Sequence, residues 1–259
     1  MGRLTSAAHR RLARFGRKRS PQERIREASE YWVGMEHAEA RVNAHWPDAG
    51  SFDADGRFRE IGQRNLRFFE MLGGPVRDLG TVLEWGCGGG ANVAAFGPES
   101  DEYIGVDVSA ATLSRAAATA VEHGVERFTP LRIPVDRPES VLTDRSDPVD
   151  VFVCTYVFEL LPSRDYGRRV LTLAARLLRP GGRAFMQFKY HPGPIGGDHR
   201  RGVYARRLSN NATFTLEEFW SACEQLGLTP RSVILRPTDE LVDDVRSAFL
   251  VAIKPDEPG

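Results

Sequence analysis

Short apolar segments alternate with helical segments between residues 81 and 190, and no other feature of the sequence constrains the fold as strongly. The apolar runs are TVLEW, YIGVDVS, FTPLRIPV, VDVFVCTYV and RAFMQFKY, and the chain between most of them has helical spacing or glycine turns. VDVFVCTYV is apolar almost throughout, as is typical of a parallel strand covered on both faces. The alternation predicts right-handed crossovers and therefore an α/β fold, a doubly wound parallel sheet with helices on both faces.

Capping and turn signals divide the rest of the chain. Ser20, Pro21 and Glu23 predict a helix that begins here and runs to about Ala44, and a second helix fits residues 57–72 before two glycines. The predicted parts are a basic N-terminal tail at 1–20, N-terminal helices that form a lid at 21–75, and a Rossmann-like core at 76–259 with an excursion at 189–212.

The end of the chain predicts a helix followed by a hairpin. Thr215 and Glu218 form a capping box for a helix that ends near Gly227. RSVILR and RSAFLVAIK then have the pattern of two strands, joined by about ten acidic and polar residues. So short a connection predicts an antiparallel hairpin at the edge of the sheet.

Charge and cysteine content restrict the class of protein. Seven of the 35 basic residues lie in residues 1–20, which hold no acid, so the rest of the chain carries 28 basic against 35 acidic residues. The tail could lie on an anionic membrane surface or an acidic partner, or stay solvated. The first thirty residues contain neither a secretory apolar region nor a membrane span, which predicts a cytoplasmic protein. Three widely spaced cysteines predict reduced thiols: Cys87, Cys154 and Cys223.

The run VLEWGCGGGA at residues 82–91 fits two kinds of ligand loop. It matches G-x-G-x-x-A, the dinucleotide fingerprint, and E-x-G-x-G-x-G, the S-adenosylmethionine loop. Both loops bring the backbone against a ligand, and an acid about 20 residues later, here Asp107, binds ribose hydroxyls. Glu84 discriminates between them, because a carboxylate repels a pyrophosphate and attracts the ammonium and sulfonium of S-adenosylmethionine. The loop therefore favours S-adenosylmethionine.

Four segments resemble the motifs of the class I S-adenosylmethionine-dependent methyltransferases, in order and at suitable spacing: VLEWGCGGG, GVDVS, DVFVCTYVFELLP and LLRPGGRAFMQF. They cover residues 80–190 approximately. The resemblance implies a seven-stranded sheet of order 3-2-1-4-5-7-6 with the last strand antiparallel. It also implies S-adenosylmethionine as the cofactor and methyl transfer as the activity.

Position by position, the resemblance implies a cofactor site that begins at the glycine loop. The residues that it places around the methionine part of the cofactor are Glu84, Gly86, Cys87, Gly88 and Gly90. It places Asp107 at the ribose hydroxyls and Val108 beside the adenine.

The contact with the adenine amino group has two alternatives in the segment RIPVDRP. Either Asp136 supplies an acid, or Pro134 stands in its place and backbone groups next to Val135 make the contact. Thr155 and Tyr156, at the carboxyl end of the fourth strand, are expected to border the reactive methyl group.

None of the four motifs contains an obvious general base. Many small-molecule members of the family carry a His in the fourth motif, but Leu160 stands at that position in FELLP. His191 is the best-placed candidate, because it lies just past the fifth strand where an open parallel sheet positions its ligands, and Tyr190 precedes it. The other candidates are Glu159, which we expect to cap or to form a pair at the start of the following helix, His199 and His45.

The acceptor is predicted to be a small molecule, and no metal is predicted. A magnesium site at His191, Asp198 and His199 is disfavoured, because magnesium prefers oxygen ligands.

The basic residues of the excursion could bind an anionic acceptor or form a solvated face: Lys189, Arg200, Arg201, Arg206 and Arg207. An acidic body without an NPPY-type motif argues against nucleic acid. We therefore predict methyl transfer to O or N of a small polar metabolite: a natural product, sugar or acidic metabolite. The alternative is a non-methylating enzyme or a binding protein on the same fold.

Overall fold

The structure is a computed structural model that describes residues 19–33, 57–145, 147–191, 204 and 210–256. The predictions for the first 18 residues, for the first helix beyond Val33, for His45, and for Asp198, His199 and the arginines of the excursion lie outside the described residues.

The described chain forms one mixed sheet with helices on both faces. The strands are β1 (Thr81–Trp85), β2 (Glu102–Asp107), β3 (Phe128–Arg132), β4 (Val149–Cys154), β5 (Leu178–Lys189), β6 (Thr229–Asp239) and β7 (Asp244–Ile253). The α-helices are α1 (Pro21–Val33), α2 (Arg57–Gly73), α3 (Ala91–Phe96), α4 (Ala110–Glu122), α5 (Val141–Asp144), α6 (Arg164–Leu177) and α7 (Leu216–Gln225).

The strand order is β3-β2-β1-β4-β5-β7-β6. β1 pairs in parallel with β2 and with β4, and Leu83 lies opposite Ile104 on one side and Phe152 on the other. β7 lies between β5 and β6 and runs antiparallel to both. The predicted fold class, strand order, reversed strand and closing hairpin are therefore confirmed.

Alternate residues of each strand enter two different apolar layers, because successive side chains point to opposite faces of a sheet. Leu83 and Trp85 pack in the layer that contains residues of α1, α6 and α7. Val82 packs in the opposite layer, with residues of α2, α3 and α4. Glu84 has the same parity as Val82, so the sequence places a carboxylate inside the layer formed with α2 and α3.

Local sequence signals set where α1 begins and how closely α2 packs on the core. α1 begins at the predicted capping signal, where the Ser20 Oγ accepts the Glu23 N–H at 3.1 Å and the Glu23 carboxylate accepts the Ser20 N–H at 2.8 Å. α2 crosses α3 at Gly62, where a Cβ would lie 1.9 Å from the Ala91 carbonyl oxygen. Only a glycine allows the two helices to approach so closely.

The segment RPGG differs from its prediction. The sequence predicts a turn that separates the helix from the fifth strand, but β5 begins directly at Leu178 and runs through RPGG. The reason is pairing with the end of the chain: the Gly181 N–H donates to the Lys254 carbonyl at 2.8 Å, and the Lys254 N–H donates to the Gly182 carbonyl at 2.9 Å.

The structure also bears on the capping box, the cysteines and the lengths of the helices. The capping box of Thr215 and Glu218 is present at the start of α7. The three cysteines are buried and unpaired. None of the helices among the described residues is both long enough and apolar enough to cross a membrane.

Candidate functional site

A cavity opens at the carboxyl ends of β1, β2 and β4, where the chain connections change direction across an open sheet. Most of the predicted cofactor residues line it: Glu84, Gly86, Cys87, Gly88, Asp107, Val108, Val135, Thr155 and Tyr156. Gly90 and Asp136 do not line it. Gly90 instead precedes α3 with φ of 95°, and the Asp136 side chain is exposed.

The glycine loop requires glycine for both conformation and space. Gly86, Gly88 and Gly90 all have positive φ, which side-chain-bearing residues rarely adopt. At Gly86 a Cβ would also lie 2.5 Å from a methyl carbon of Val157. The Gly86 and Cys87 N–H groups both donate to the Val106 carbonyl, at 2.8 and 3.0 Å, which fixes the loop to the end of β2.

Asp107 holds the loop from the side. One carboxylate oxygen accepts the Gly88 N–H at 3.1 Å, and the other accepts the N–H groups of Val108 and Ser109 at 2.7 and 3.0 Å. Burial raises the pKa of this carboxyl above its ordinary value, although these backbone hydrogen bonds oppose the shift. Asp107 therefore both organises the loop and presents a carboxylate to the cavity.

Glu84 is 2% exposed and borders the same cavity. Its two carboxylate oxygens accept hydrogen bonds from the Asn92 amide at 2.6 Å and from the Tyr103 hydroxyl at 2.7 Å. Burial raises the pKa of this carboxyl to about 7, which these two hydrogen bonds only partly offset. Among the described residues none forms an ion pair with Glu84, so a cationic ligand would supply the missing charge.

Sequence reasoning missed two amides beside Glu84. The Asn92 amide also donates to the Thr155 hydroxyl at 2.9 Å, and its oxygen accepts the Asn65 amide at 2.9 Å. Asn92 could have been found, since it lies in the first turn after the glycine loop. Asn65 could not, because it comes from α2, and no local pattern indicates which residues of that helix reach the cavity.

The far end of the cavity is apolar. Val108, Ile133 and Val135 line it together with Tyr166, whose hydroxyl donates to the Val135 carbonyl at 2.8 Å. Because Asp136 is exposed, this end of the cavity offers a ligand apolar side chains and the backbone at 133–135. This arrangement favours the second alternative left open by the sequence.

Tyr156 connects the cavity to α2. It is a non-glycine residue with φ of 58°, and its N–H donates to the Gln187 side chain at 2.6 Å. Its hydroxyl donates to Asp239 at 3.0 Å and accepts a hydrogen bond from Arg64, which also bonds Asp239 at 2.6 Å. Because both partners of the hydroxyl are buried, Tyr156 borders the cavity without offering a free hydroxyl to it.

α1 closes the cavity from the other side. The Trp32 indole N–H donates to the Tyr204 hydroxyl at 2.8 Å, and that hydroxyl donates to the Leu160 carbonyl. Arg24 is buried and donates to the Asn211 side chain at 2.5 Å. The polar ends of this wall are thus bonded to protein groups, and its rings provide aromatic surface.

The predicted catalytic residues lie at the carboxyl end of β5 but do not line the described cavity. The Tyr190 N–H donates to the Arg246 carbonyl at 2.8 Å and the His191 N–H to the Phe214 carbonyl at 3.0 Å. His191 is buried, and neither of its ring nitrogens has a hydrogen-bond partner among the described residues. Nearby, burial raises the pKa of the Glu159 carboxyl to about 7.

A family model described as a methyltransferase domain matches residues 83–184. A ubiquinone biosynthesis O-methyltransferase of Leptothrix cholodnii is 27% identical over 138 residues, 52% of this chain and 56% of that relative. The chain thus matches little more than half of that relative's length.

Solved structures show the same fold. The Burkholderia thailandensis 1,6-didemethyltoxoflavin-N1-methyltransferase, with bound 1,6-didemethyltoxoflavin and S-adenosylhomocysteine, superposes with a TM-score of 0.63 at 20% identity and covers 92% of each chain. The [4+2]-cyclase SpnF superposes with a TM-score of 0.57 at 15% identity, over 75% of this chain and 81% of that one.

A sheet of this order with a glycine loop and two strand-end carboxylates around one cavity is the architecture of a Rossmann-like methyltransferase. The matching domain model and the curated relatives agree with that class. Residues 83–184 thus match a methyltransferase domain, and the chain has the fold of the class I S-adenosylmethionine-dependent methyltransferases.

Proposed function

We propose that the protein transfers a methyl group from S-adenosylmethionine to an oxygen or nitrogen of a small metabolite. The observation that carries the proposal is the buried Glu84 carboxylate at the edge of a cavity that Asp107 and the glycine loop also border. The cofactor supplies a methyl group already activated by a sulfonium. Glu84 faces the cationic methionine part, Asp107 binds the ribose hydroxyls, and Val108 and Val135 hold the adenine.

The chain's own task is then to align the acceptor and exclude water, because methyl transfer is an in-line displacement. Thr155 and Tyr156, at the carboxyl end of β4, border the place of the reactive methyl group. The Thr155 hydroxyl accepts the Asn92 amide at 2.9 Å, which keeps it fixed against the cavity.

The α1 wall favours an acceptor with a planar, apolar part. Trp32 and Tyr204 present aromatic surface there, and their polar atoms are bonded to each other and to the Leu160 carbonyl. The described lining contains no Lys or Arg, so an anionic acceptor would need a cation from outside it. Of the three acceptor classes predicted from sequence, a natural product with a ring system fits this wall best.

We assign His191 as the general base, with Tyr190 as its neighbour at the end of β5. The support is that His191 is buried while both ring nitrogens are without a partner in the described part of the chain. His191→Asn should lower kcat by about 10²- to 10⁴-fold if it removes a proton in the reaction, and Tyr190→Phe is the companion variant. S-adenosylhomocysteine binding should be unchanged in both, and an unchanged kcat would reject the assignment.

Two experiments test the function. Calorimetry should show binding of S-adenosylhomocysteine and none of NAD, and the reverse would exclude the cofactor assignment. Turnover of methyl-labelled S-adenosylmethionine against a panel of phenols, ring nitrogen heterocycles, sugars and carboxylic acids should then label a cyclic natural product.

The second candidate is a non-methylating enzyme on the same fold. It is favoured by one observation, the superposition on a [4+2]-cyclase. In that case S-adenosylhomocysteine and S-adenosylmethionine would both bind, and no member of any acceptor panel would become labelled.

A further inference from the structure

Asn65 has one unused hydrogen-bonding atom at the cavity. The residue is 0% exposed, lines the cavity and lies on α2, outside the four sequence motifs. Its amide nitrogen donates to the Asn92 oxygen at 2.9 Å and to the Thr155 hydroxyl at 3.5 Å. Its oxygen, Oδ1, is buried and has no hydrogen-bond partner in the described structure. Burying an acceptor without a donor is unfavourable, so the N–H or O–H group of a ligand is the natural partner of this oxygen.

The orientation of the Asn65 amide follows from Glu84. The ionised Glu84 carboxylate, the form that would meet a ligand ammonium, can only accept hydrogen bonds, so the Asn92 amide nitrogen faces Glu84 and the Asn92 oxygen faces Asn65. Asn65 must therefore turn its nitrogen toward Asn92. This arrangement leaves the Asn65 oxygen as a free acceptor in the described part of the chain. Exchanging the nitrogen and oxygen of the Asn65 amide would break its hydrogen bond with Asn92.

The position of Asn65 selects the ligand group. In the sheet order β2-β1-β4, Asp107 ends β2, Glu84 lies on β1, and Thr155 follows β4. Asn65 bonds to Thr155 and to the Asn92 that holds Glu84, so it lies on the side of Glu84 away from Asp107. The N–H and O–H donors of S-adenosylmethionine are the adenine amino group, the ribose hydroxyls and the α-ammonium. The first two are assigned to the other end of the cavity.

We propose that Asn65 Oδ1 accepts a hydrogen bond from the α-ammonium of S-adenosylmethionine, so that α2 supplies a recognition group for the amino-acid part of the cofactor. Glu84 provides the charge and Asn65 the directed neutral acceptor. This inference rests on the proposed cofactor binding and adds that the N-terminal helix is part of the cofactor site.

The test compares two ligands by calorimetry: S-adenosylhomocysteine and the analogue in which hydrogen replaces its α-ammonium. Asn65→Ala should weaken S-adenosylhomocysteine binding by about 10-fold or more, as expected for a hydrogen bond to a charged group, and change binding of the analogue by less than about threefold. Asn65→Asp keeps Oδ1 and, as a carboxylic acid, can still donate to Asn92, so it should keep the preference for the ammonium. Gln63→Ala, exposed on the same helix, should leave both affinities unchanged.

If Asn65 only orients Asn92 and does not contact the ligand, the results should differ. Equal weakening of both ligands by Asn65→Ala, or loss of the ammonium preference in Asn65→Asp, would overturn the inference while the cofactor proposal stands. If the unmodified protein binds neither ligand, the cofactor proposal itself fails. The thermal midpoints of the variants show whether each is folded, and Asn65→Asp alone can decide the question if Asn65→Ala does not fold.

Discussion

Binding of S-adenosylhomocysteine should become stronger as the pH rises through 7, and Glu84 should be the cause. Burial raises the pKa of its carboxyl to about 7. A ligand ammonium placed beside it favours the ionised form. Binding is therefore coupled to loss of a proton from Glu84.

The size of the effect follows from the two protonation states. With a pKa of about 7, roughly one molecule in eleven has an ionised Glu84 at pH 6 and roughly ten in eleven at pH 8. If only the ionised form binds the ammonium, the dissociation constant should be about tenfold larger at pH 6 than at pH 8. At pH 7 about half a proton should be released for each ligand bound.

Ionisation of Glu84 should also affect folding, in the opposite direction: the stability of the protein without ligand should fall as the pH rises. The pKa of Glu84 lies above its value of 4.5 in the unfolded chain, so the folded state favours the protonated form. This contribution is complete below pH 4.5 and is lost as the pH rises to 7. The rise in thermal midpoint caused by S-adenosylhomocysteine should accordingly be larger at pH 8 than at pH 6.

Calorimetry in buffers with different ionisation enthalpies measures the released proton directly. Glu84→Gln should abolish both the release and the tenfold dependence on pH, because the amide does not titrate. Glu159→Gln is the matched control: the pKa of Glu159 is also raised to about 7 by burial, but Glu159 does not line the cavity. The reasoning is refuted if Glu84→Gln keeps the pH dependence, or if Glu159→Gln removes it.

Three further variants test the framework around the cofactor. Asp107→Ala should weaken S-adenosylhomocysteine binding by about 1–3 kcal/mol through lost charged hydrogen bonds, and calorimetry showing unchanged affinity would reject its role. Gly62→Ala should destabilise the protein by about 1–3 kcal/mol in urea unfolding and weaken ligand binding as well, because a Cβ 1.9 Å from backbone must displace α2 from α3. Arg64→Met removes the nearer cation of the buried Asp239, leaving Arg236 at 4.0 Å, and should cost about 3 kcal/mol in urea unfolding. Arg67→Met, exposed on the same helix, is the control and should cost little.

The core of the fold could be predicted because each signal was local. A strand buried on both faces is apolar along its whole length, as VDVFVCTYV is, and a capping box needs only two residues three positions apart. The reversed strand followed from a connection too short for a crossover. The course of β5 through RPGG could not be predicted, since it depends on pairing with Lys254, more than seventy residues away.

The residues of the candidate site were likewise predictable only where their signal was local. Glu84, Asp107, Gly86 and Gly88 were predicted from sequence, because strand ends and positive-φ turns bring them to one edge of the sheet. The adenine contact at Asp136 was left open, because the sequence does not show which way a side chain after a strand points; the structure has it exposed. Asn65 and Tyr204 carried no signal, since they reach the cavity only through packing of distant segments.

The two N-terminal helices make different contacts, and their residues have different roles at the cavity. α2 is held by the buried Arg64–Asp239 pair and by the close approach at Gly62, both to parts of the core. The proposed cofactor end of the cavity therefore lies in the core and α2. α1 reaches the cavity through Trp32, whose indole N–H donates to the hydroxyl of Tyr204 in the 189–212 excursion. Since Trp32 and Tyr204 form the wall that the proposed cofactor residues leave free, replacing these two residues should change the acceptor while leaving S-adenosylhomocysteine affinity nearly constant.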